Sequence, residues 1–132
     1  MQVGRFLVDR PVYTVSPDDT LAHAAALMRR YGHGSATVVA AGEPPGIITE
    51  RDLLRAVADG ADMQVARVAE YRTPNAVTVT PSRHVVDAAR MMIERHFRHL
   101  VVVDKSGAVL GVLSIRDITA ALLEERQGIL AG

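Results

Sequence analysis

The chain repeats itself, and the repeat limits the possible folds more than any other feature. Thr14–Val39 laid over Thr78–Val103 gives identities at Thr14/Thr78, Val15/Val79, Pro17/Pro81, Ala24/Ala88, Ala25/Ala89, Met28/Met92, Val38/Val102 and Val39/Val103. One extra residue in the second copy then shifts the alignment, so that Gly46-Ile-Ile-Thr-Glu-Arg-Asp52 falls on Gly111-Val-Leu-Ser-Ile-Arg-Asp117. A period of about sixty residues in so short a chain means one supersecondary unit used twice. The expected division is 1–60 for the first repeat, 61–72 for a connecting segment and 73–132 for the second repeat.

Each copy reads as β-α-β-β-α, an α+β pattern. Val12–Val15 and Val77–Val79 are short β-branched runs that end at Ser-Pro and Thr-Pro, a strand followed by a turn. Helices are predicted over Thr20–Tyr31 and His84–His96. Leu21, Ala24, Ala25 and Met28 share one face of the first, and Val85, Ala88, Ala89 and Met92 the matching face of the second. Ala36–Ala40 and His99–Val103 are predicted strands, each followed by a Gly-containing turn. Gly46–Ile48 and Val109–Leu113 are the third strands, and Glu50–Ala58 and Ile115–Glu125 the last helices. Helical spacing of Val65, Val68 and Ala69 predicts a short connecting helix over Met63–Tyr71.

Composition removes several classes of function. Fifteen basic residues against fifteen acidic ones give a formal net charge of zero, without the basic excess that extended contact with nucleic acid requires. No cysteine is present, so disulfides, thiolate metal sites and cysteine nucleophiles are excluded, and a cytoplasmic location is expected. No apolar run suits a signal sequence or approaches the roughly 20 residues of a membrane span. His96 and His99 are spaced for one helix face, but a helix end falls between them and no acidic third ligand is near, which argues against a metal. No serine, histidine and acid form an activated nucleophile, so an enzyme is not expected.

A strand ending Gly-apolar-apolar-Thr/Ser-x-x-Asp and opening a helix, present twice, resembles the CBS domain (cystathionine β-synthase domain) family. Thr-Val-x-Pro at Thr14–Pro17 and Thr78–Pro81 is similar to that family too, as is Arg98-His99-Leu100 leading into Val101–Val103. The resemblance covers nearly the whole chain. It implies a tandem CBS pair (a Bateman module), two repeats packed about a pseudo-twofold axis with two clefts. In such clefts the family binds AMP, ADP, ATP or S-adenosylmethionine. Carried over, Asp52 and Asp117 hold ribose hydroxyls, while Thr49 and Ser114 approach a phosphate. The family often has a basic pair at the mouth of the second strand, which singles out Arg98 and His99. Adenine would stack on apolar residues of the first and third strands, here Val12, Ile47, Val77 and Val112.

The residue chemistry fits that assignment and also fits a plainer one. An ionised carboxylate accepts hydrogen bonds from two hydroxyls at once. Helix starts favour anions, and Arg51 and Arg116 offer planar pairs of donors to a phosphate. Thr-Glu-Arg-Asp and Ser-Ile-Arg-Asp are equally the pattern of a helix capping box, with Asp at the position Glu or Gln usually fills. The two clefts are not equivalent. Arg98-His99 stands where the first copy has Gly34-Ser35, only His33 lies near the earlier site, and the family's frequent strand proline is replaced by Thr37 and Val101.

Two functions follow. One is a free-standing regulatory module that binds an adenine nucleotide or related adenosyl ligand and signals its occupancy to a regulated partner. The other is an interaction module with empty clefts that dimerises or docks on another protein. Leu21, Met28, Leu53, Leu54, Val57, Met91, Met92, Ile118, Leu122 and Leu123 exceed what a thin two-repeat core should absorb, so a homodimer through the helices is expected.

Overall fold

The computed structural model describes residues 1–131, and these divide into two compact units: Tyr13–Ala76, and Met1–Val12 together with the chain from Val77 onward.

The Tyr13–Ala76 unit runs β1 (Thr14–Val15), α1 (Leu21–Tyr31), β2 (Ser35–Val38), β3 (Gly46–Thr49), α2 (Glu50–Ala58) and α3 (Val68–Tyr71). Its sheet has the order β1-β2-β3, with β1 parallel to β2 and β3 antiparallel to it. The other unit repeats the plan with β4 (Thr78–Val79), α4 (Val85–Arg95), β5 (His99–Val103), β6 (Val109–Ser114) and α5 (Ile115–Ala131). The predicted α+β pattern is therefore present in both copies.

The helices sit where their apolar spacing places them. Leu21, Ala24 and Met28 of α1 are buried, and so are Val85, Ala88, Ala89 and Met92 of α4. Thr20 caps α1 by accepting from the His23 N–H at 3.1 Å. His84 takes that role in α4 through Nδ1, which accepts from the Val86 N–H at 3.1 Å. Gly32 ends α1 in the left-handed conformation, while the second copy puts His96 there, also at positive φ.

Several boundaries differ from expectation, and the larger differences have identifiable physical reasons. The first strands shrink to two residues, because parallel pairing reaches only Thr14↔Thr37 and Val15↔Val38, or Thr78↔Val101 and Val79↔Val102. Val12 and Val77 lie where the chain passes from one unit to the other. β2 covers Ser35–Val38 instead of 36–40, since Ala40 already accepts a turn bond from the Glu43 N–H. The connecting helix is only Val68–Tyr71. Its expected first turn instead serves α1, whose Leu21 and Ala22 N–H groups donate to the carbonyls of Ala66 and Met63. α5 continues past Glu125 to Ala131, with no proline to stop it.

The largest departure is the N-terminal segment, which packs with the second repeat. Met1–Val12 holds a 3-10 helix at Val3–Leu7, and Val3 is fully buried in a core with Val79, Val85 and Leu100. The Val3 N–H donates to the Arg83 carbonyl at 2.8 Å and the Gly4 N–H to the Pro81 carbonyl at 2.9 Å. The lead-in to the second repeat treats the first repeat the same way: the Val68 N–H donates to Asp19 at 2.8 Å and the Ala69 N–H to Pro17 at 2.9 Å. Val68 is likewise fully buried. Each repeat is thus completed by the segment that precedes the other, and the compact units are offset from the sequence repeats by about a dozen residues.

Candidate functional site

The two Ser/Thr-x-x-Asp motifs fall at the same place in each unit, where the third strand turns into the last helix. Antiparallel pairing sets Thr49 opposite Ser35 and Ser114 opposite His99. The first helical N–H is taken by the second strand's mouth, Glu50 by the Gly34 carbonyl at 2.9 Å and Ile115 by the Arg98 carbonyl at 2.8 Å. Arg98, His99, Ser114 and Asp117 are therefore gathered at one end of the β5–β6 pair.

Both motifs form reciprocal caps. Asp52 Oδ2 accepts from the Thr49 N–H at 2.8 Å and the Thr49 hydroxyl at 3.1 Å, and the Asp52 N–H returns to Thr49 Oγ1 at 3.4 Å. Asp117 Oδ2 accepts from the Ser114 N–H at 2.9 Å and the Ser114 hydroxyl at 3.1 Å, with the return bond at 3.2 Å. The capping pattern expected from the sequence is thus formed in both copies. The caps engage the Thr49 and Ser114 hydroxyls and one first-turn N–H each, that of Asp52 or Asp117.

What surrounds each carboxylate differs. Asp52 is 9% exposed, and its Oδ1 faces the Arg55 guanidinium at 3.6 Å. Arg55 is itself exposed and bonded to the Tyr71 carbonyl at 3.0 Å. Asp117 meets Arg10 in a bidentate pair, Nη1 to Oδ2 and Nη2 to Oδ1, each at 3.0 Å. Burial pushes the Asp117 carboxyl up, but the Arg10 hydrogen bonds and charge and the Ser114 N–H and hydroxyl outweigh it and hold the group below its ordinary value.

The phosphate-side candidates divide in the same way. Arg51, Arg98 and Arg116 are exposed and His99 is half-buried. In the first copy no side chain replaces Arg98. A Cβ on Gly34 would lie 3.0–3.2 Å from the Glu50 carboxyl, an acidic group where the second copy has Ile115. His33 is engaged nearby: its Nδ1 lies 2.8 Å from the Tyr13 hydroxyl, which donates to the Ser35 carbonyl at 2.9 Å. Since the single Tyr13 O–H already donates to the Ser35 carbonyl, the His33 Nδ1–H is the donor in that pair. Burial, aided by Tyr31 stacked 4.5 Å away, pushes the Tyr13 hydroxyl up to about 12.

Of the four apolar candidates, Val12, Val77 and Val112 belong to the unit that holds Asp117, and Ile47 to the unit that holds Asp52. Val12 is 51% exposed, Val77 and Val112 are half-buried, and Ile47 is buried. Ile47 exchanges backbone bonds with Thr73 at 3.0 and 2.9 Å, so the lead-in covers that edge of β3. Arg10, the partner of Asp117, is the residue that sequence reasoning missed. It lies 107 residues from Asp117, beyond any local pattern. Among the described residues no group of three or more His, Asp or Glu could hold a metal, and no helix is long and apolar enough to cross a membrane.

These two caps on duplicated three-stranded units agree with comparison to known proteins. Residues 3–59 and 68–124 each match the CBS domain. The chain belongs to the CBS-domain family, as two such domains in tandem. It is 39% identical over 114 residues to an uncharacterized 17.7 kDa protein of Acidianus ambivalens, covering 86% of this chain and 68% of that one. It is 35% identical over 108 residues to the CBS domain-containing protein YhcV of Bacillus subtilis, covering 81% and 76%. Among solved structures, a CBS domain protein from Pyrobaculum aerophilum complexed with AMP superposes with a TM-score of 0.83 at 32% identity, covering 94% of this chain and 97% of that one.

Proposed function

We propose that this chain is a regulatory module that binds an adenine nucleotide, with Asp52 and Asp117 as the ribose acceptors of its two sites. The observation that carries the proposal is the placement of a capped, partly buried carboxylate at the same strand-to-helix junction in both copies. The AMP complex of the Pyrobaculum relative supports an adenosine monophosphate as the ligand class. Arg98, His99 and Arg116 make the Asp117 site the better one for a phosphate, whereas Glu50 opposes an anion at the Asp52 site. A chain without cysteine is suited to a reducing cytoplasm. Occupancy of the sites would be the signal.

The test is a thermal-shift panel of AMP, ADP, ATP, NAD and S-adenosylmethionine. A ligand at ten times its Kd stabilises by about 1.4 kcal/mol, a melting-temperature rise of roughly 4–7 °C for a chain of this size. AMP is expected to give it. No shift with any of the five at millimolar concentration would leave the interaction module as the function.

Assembly is proposed to be a homodimer. Leu54 and Val57 of α2 are 69% and 60% exposed, and Ile93 of α4 and Leu123 of α5 are 71% and 57% exposed. Leu21, Met28, Met92 and Ile118, counted with these on sequence grounds, are instead buried within their own units. The remaining apolar helix positions suit a self-complementary pairing. Light scattering at high micromolar concentration is expected to return twice the chain mass. A value near 14.2 kDa would exclude the dimer.

A further inference from the structure

We infer that Arg10 is a latch on the second site: its guanidinium occupies the Asp117 carboxylate, and a ribose diol can bind there only when Arg10 withdraws. The inference rests on the reading of Asp117 as a ribose acceptor and adds to it the element that controls access.

A carboxylate presents about four lone-pair positions. Asp117 Oδ2 already takes three donors, the Ser114 N–H, the Ser114 hydroxyl and Arg10 Nη1, and Oδ1 takes Arg10 Nη2. Two ribose hydroxyls cannot be added to that set. They can replace the two Arg10 bonds and leave the cap intact. Arg10 Nη1 also lies 3.5 Å from the Val112 carbonyl, so the guanidinium sits along β6, beside a residue proposed to face the adenine.

The chain positions this contact deliberately. Val3 is anchored by full burial and by the Val3 and Gly4 backbone bonds. Asp9 then takes a left-handed conformation, φ 60°, and the Arg10 N–H donates back to Leu7 at 3.2 Å. That turn brings residue 10 against the start of α5. The pair remains able to open, since the Arg10 and Asp117 side chains are 26% and 19% exposed and water reaches both. The guanidinium can swing on its own stem while Val3 stays buried.

Among the described residues, no bidentate cation pairs with Asp52 at the first site. In the equivalent lead-in, the residues at Arg10's place are Pro74 and Asn75, which carry no charge. Arg55 approaches Asp52 from the same helix at 3.6 Å and is bonded elsewhere. Two sites with near-identical caps thereby gain a further difference, set by one residue of the N-terminal segment.

The experiment is calorimetric titration of the full chain with AMP, comparing wild type, Arg10→Ala and Arg10→Lys, each also in an Asp52→Ala background where Asp117 is the remaining site. A site closed for most of the time binds more weakly by its open fraction, so Arg10→Ala is expected to tighten the Asp117 site about tenfold. Arg10→Lys should fall between, because an ammonium cannot span both oxygens. It also carries the comparison if the alanine variant does not fold. Identical isotherms for all three chains would overturn the latch and leave nucleotide binding standing. Weaker AMP binding in Arg10→Ala would make Arg10 a ligand contact and overturn it too. No binding in any chain would remove the nucleotide reading and the latch with it.

Discussion

Asp117→Ala is expected to lower AMP affinity at its site tenfold or more and to destabilise the chain more than Asp52→Ala does. The affinity loss follows from removing charge-assisted hydrogen bonds to the ribose hydroxyls, about 1.5–3 kcal/mol. Stability separates the two positions because their partners differ. Asp52→Ala removes a helix cap, about 0.5–2 kcal/mol. Asp117→Ala removes the equivalent cap and also leaves the Arg10 guanidinium half-buried without an anion, which adds about 1–2 kcal/mol. The bidentate geometry makes this more than a solvated surface pair. Denaturant unfolding of the ligand-free variants, with Arg10→Ala and the double variant completing the cycle, isolates the coupling. Equal stability losses at the two positions, with AMP affinity unchanged in both, would refute both the ribose role and the energetic weight of the Arg10 pair.

The parts of this structure that were legible in the sequence are those written at short range and written twice. The spacing of Leu21, Ala24 and Met28, and of Val85, Ala88, Ala89 and Met92, marked helix faces that are indeed buried. Glu50–Ala58 and His99–Val103 were readable to the residue, because a Ser/Thr-x-x-Asp cap opens the one and a β-branched run fills the other. The capping box at Thr49 was visible for the same reason: all its atoms lie within four residues.

The unread parts depend on long-range partners. Met63–Tyr71 has helical spacing, yet Met63 and Ala66 give their carbonyls to α1 more than forty residues upstream, and tertiary demand overrides the local pattern. Arg10 sits in Val-Asp-Arg-Pro, a sequence that advertises only a turn. Val3 matches Val68 when the repeats are extended upstream, but Gly4 to Leu7 share no residue with Ala69 to Arg72. The paired backbone bonds, Val3 with Arg83 and Val68 with Asp19, Gly4 with Pro81 and Ala69 with Pro17, make the equivalence of the two lead-ins plain.

The docked lead-in can be tested at the residue that anchors it. Val3→Asp is expected to cost about 3 kcal/mol or more, because a carboxylate would enter an apolar site formed with Val79, Val85 and Leu100. Val8→Asp, five residues on at a position 71% exposed, should change stability by about 0.5 kcal/mol at most. The comparison holds net charge constant and varies only burial. Val68→Asp should behave like Val3→Asp, since Val68 is equally buried and makes the matching backbone bond in the other unit. Urea midpoints of the three variants measure this, and limited proteolysis reports whether the first dozen residues come loose. If Val3→Asp unfolds at the wild-type midpoint while Val68→Asp does not, the N-terminal segment is not docked in solution. The latch at Arg10 would then lose its anchor. If both fall together, each repeat depends on the segment that leads into the other, and the chain cannot be cut between its two sequence repeats without exposing a core in both.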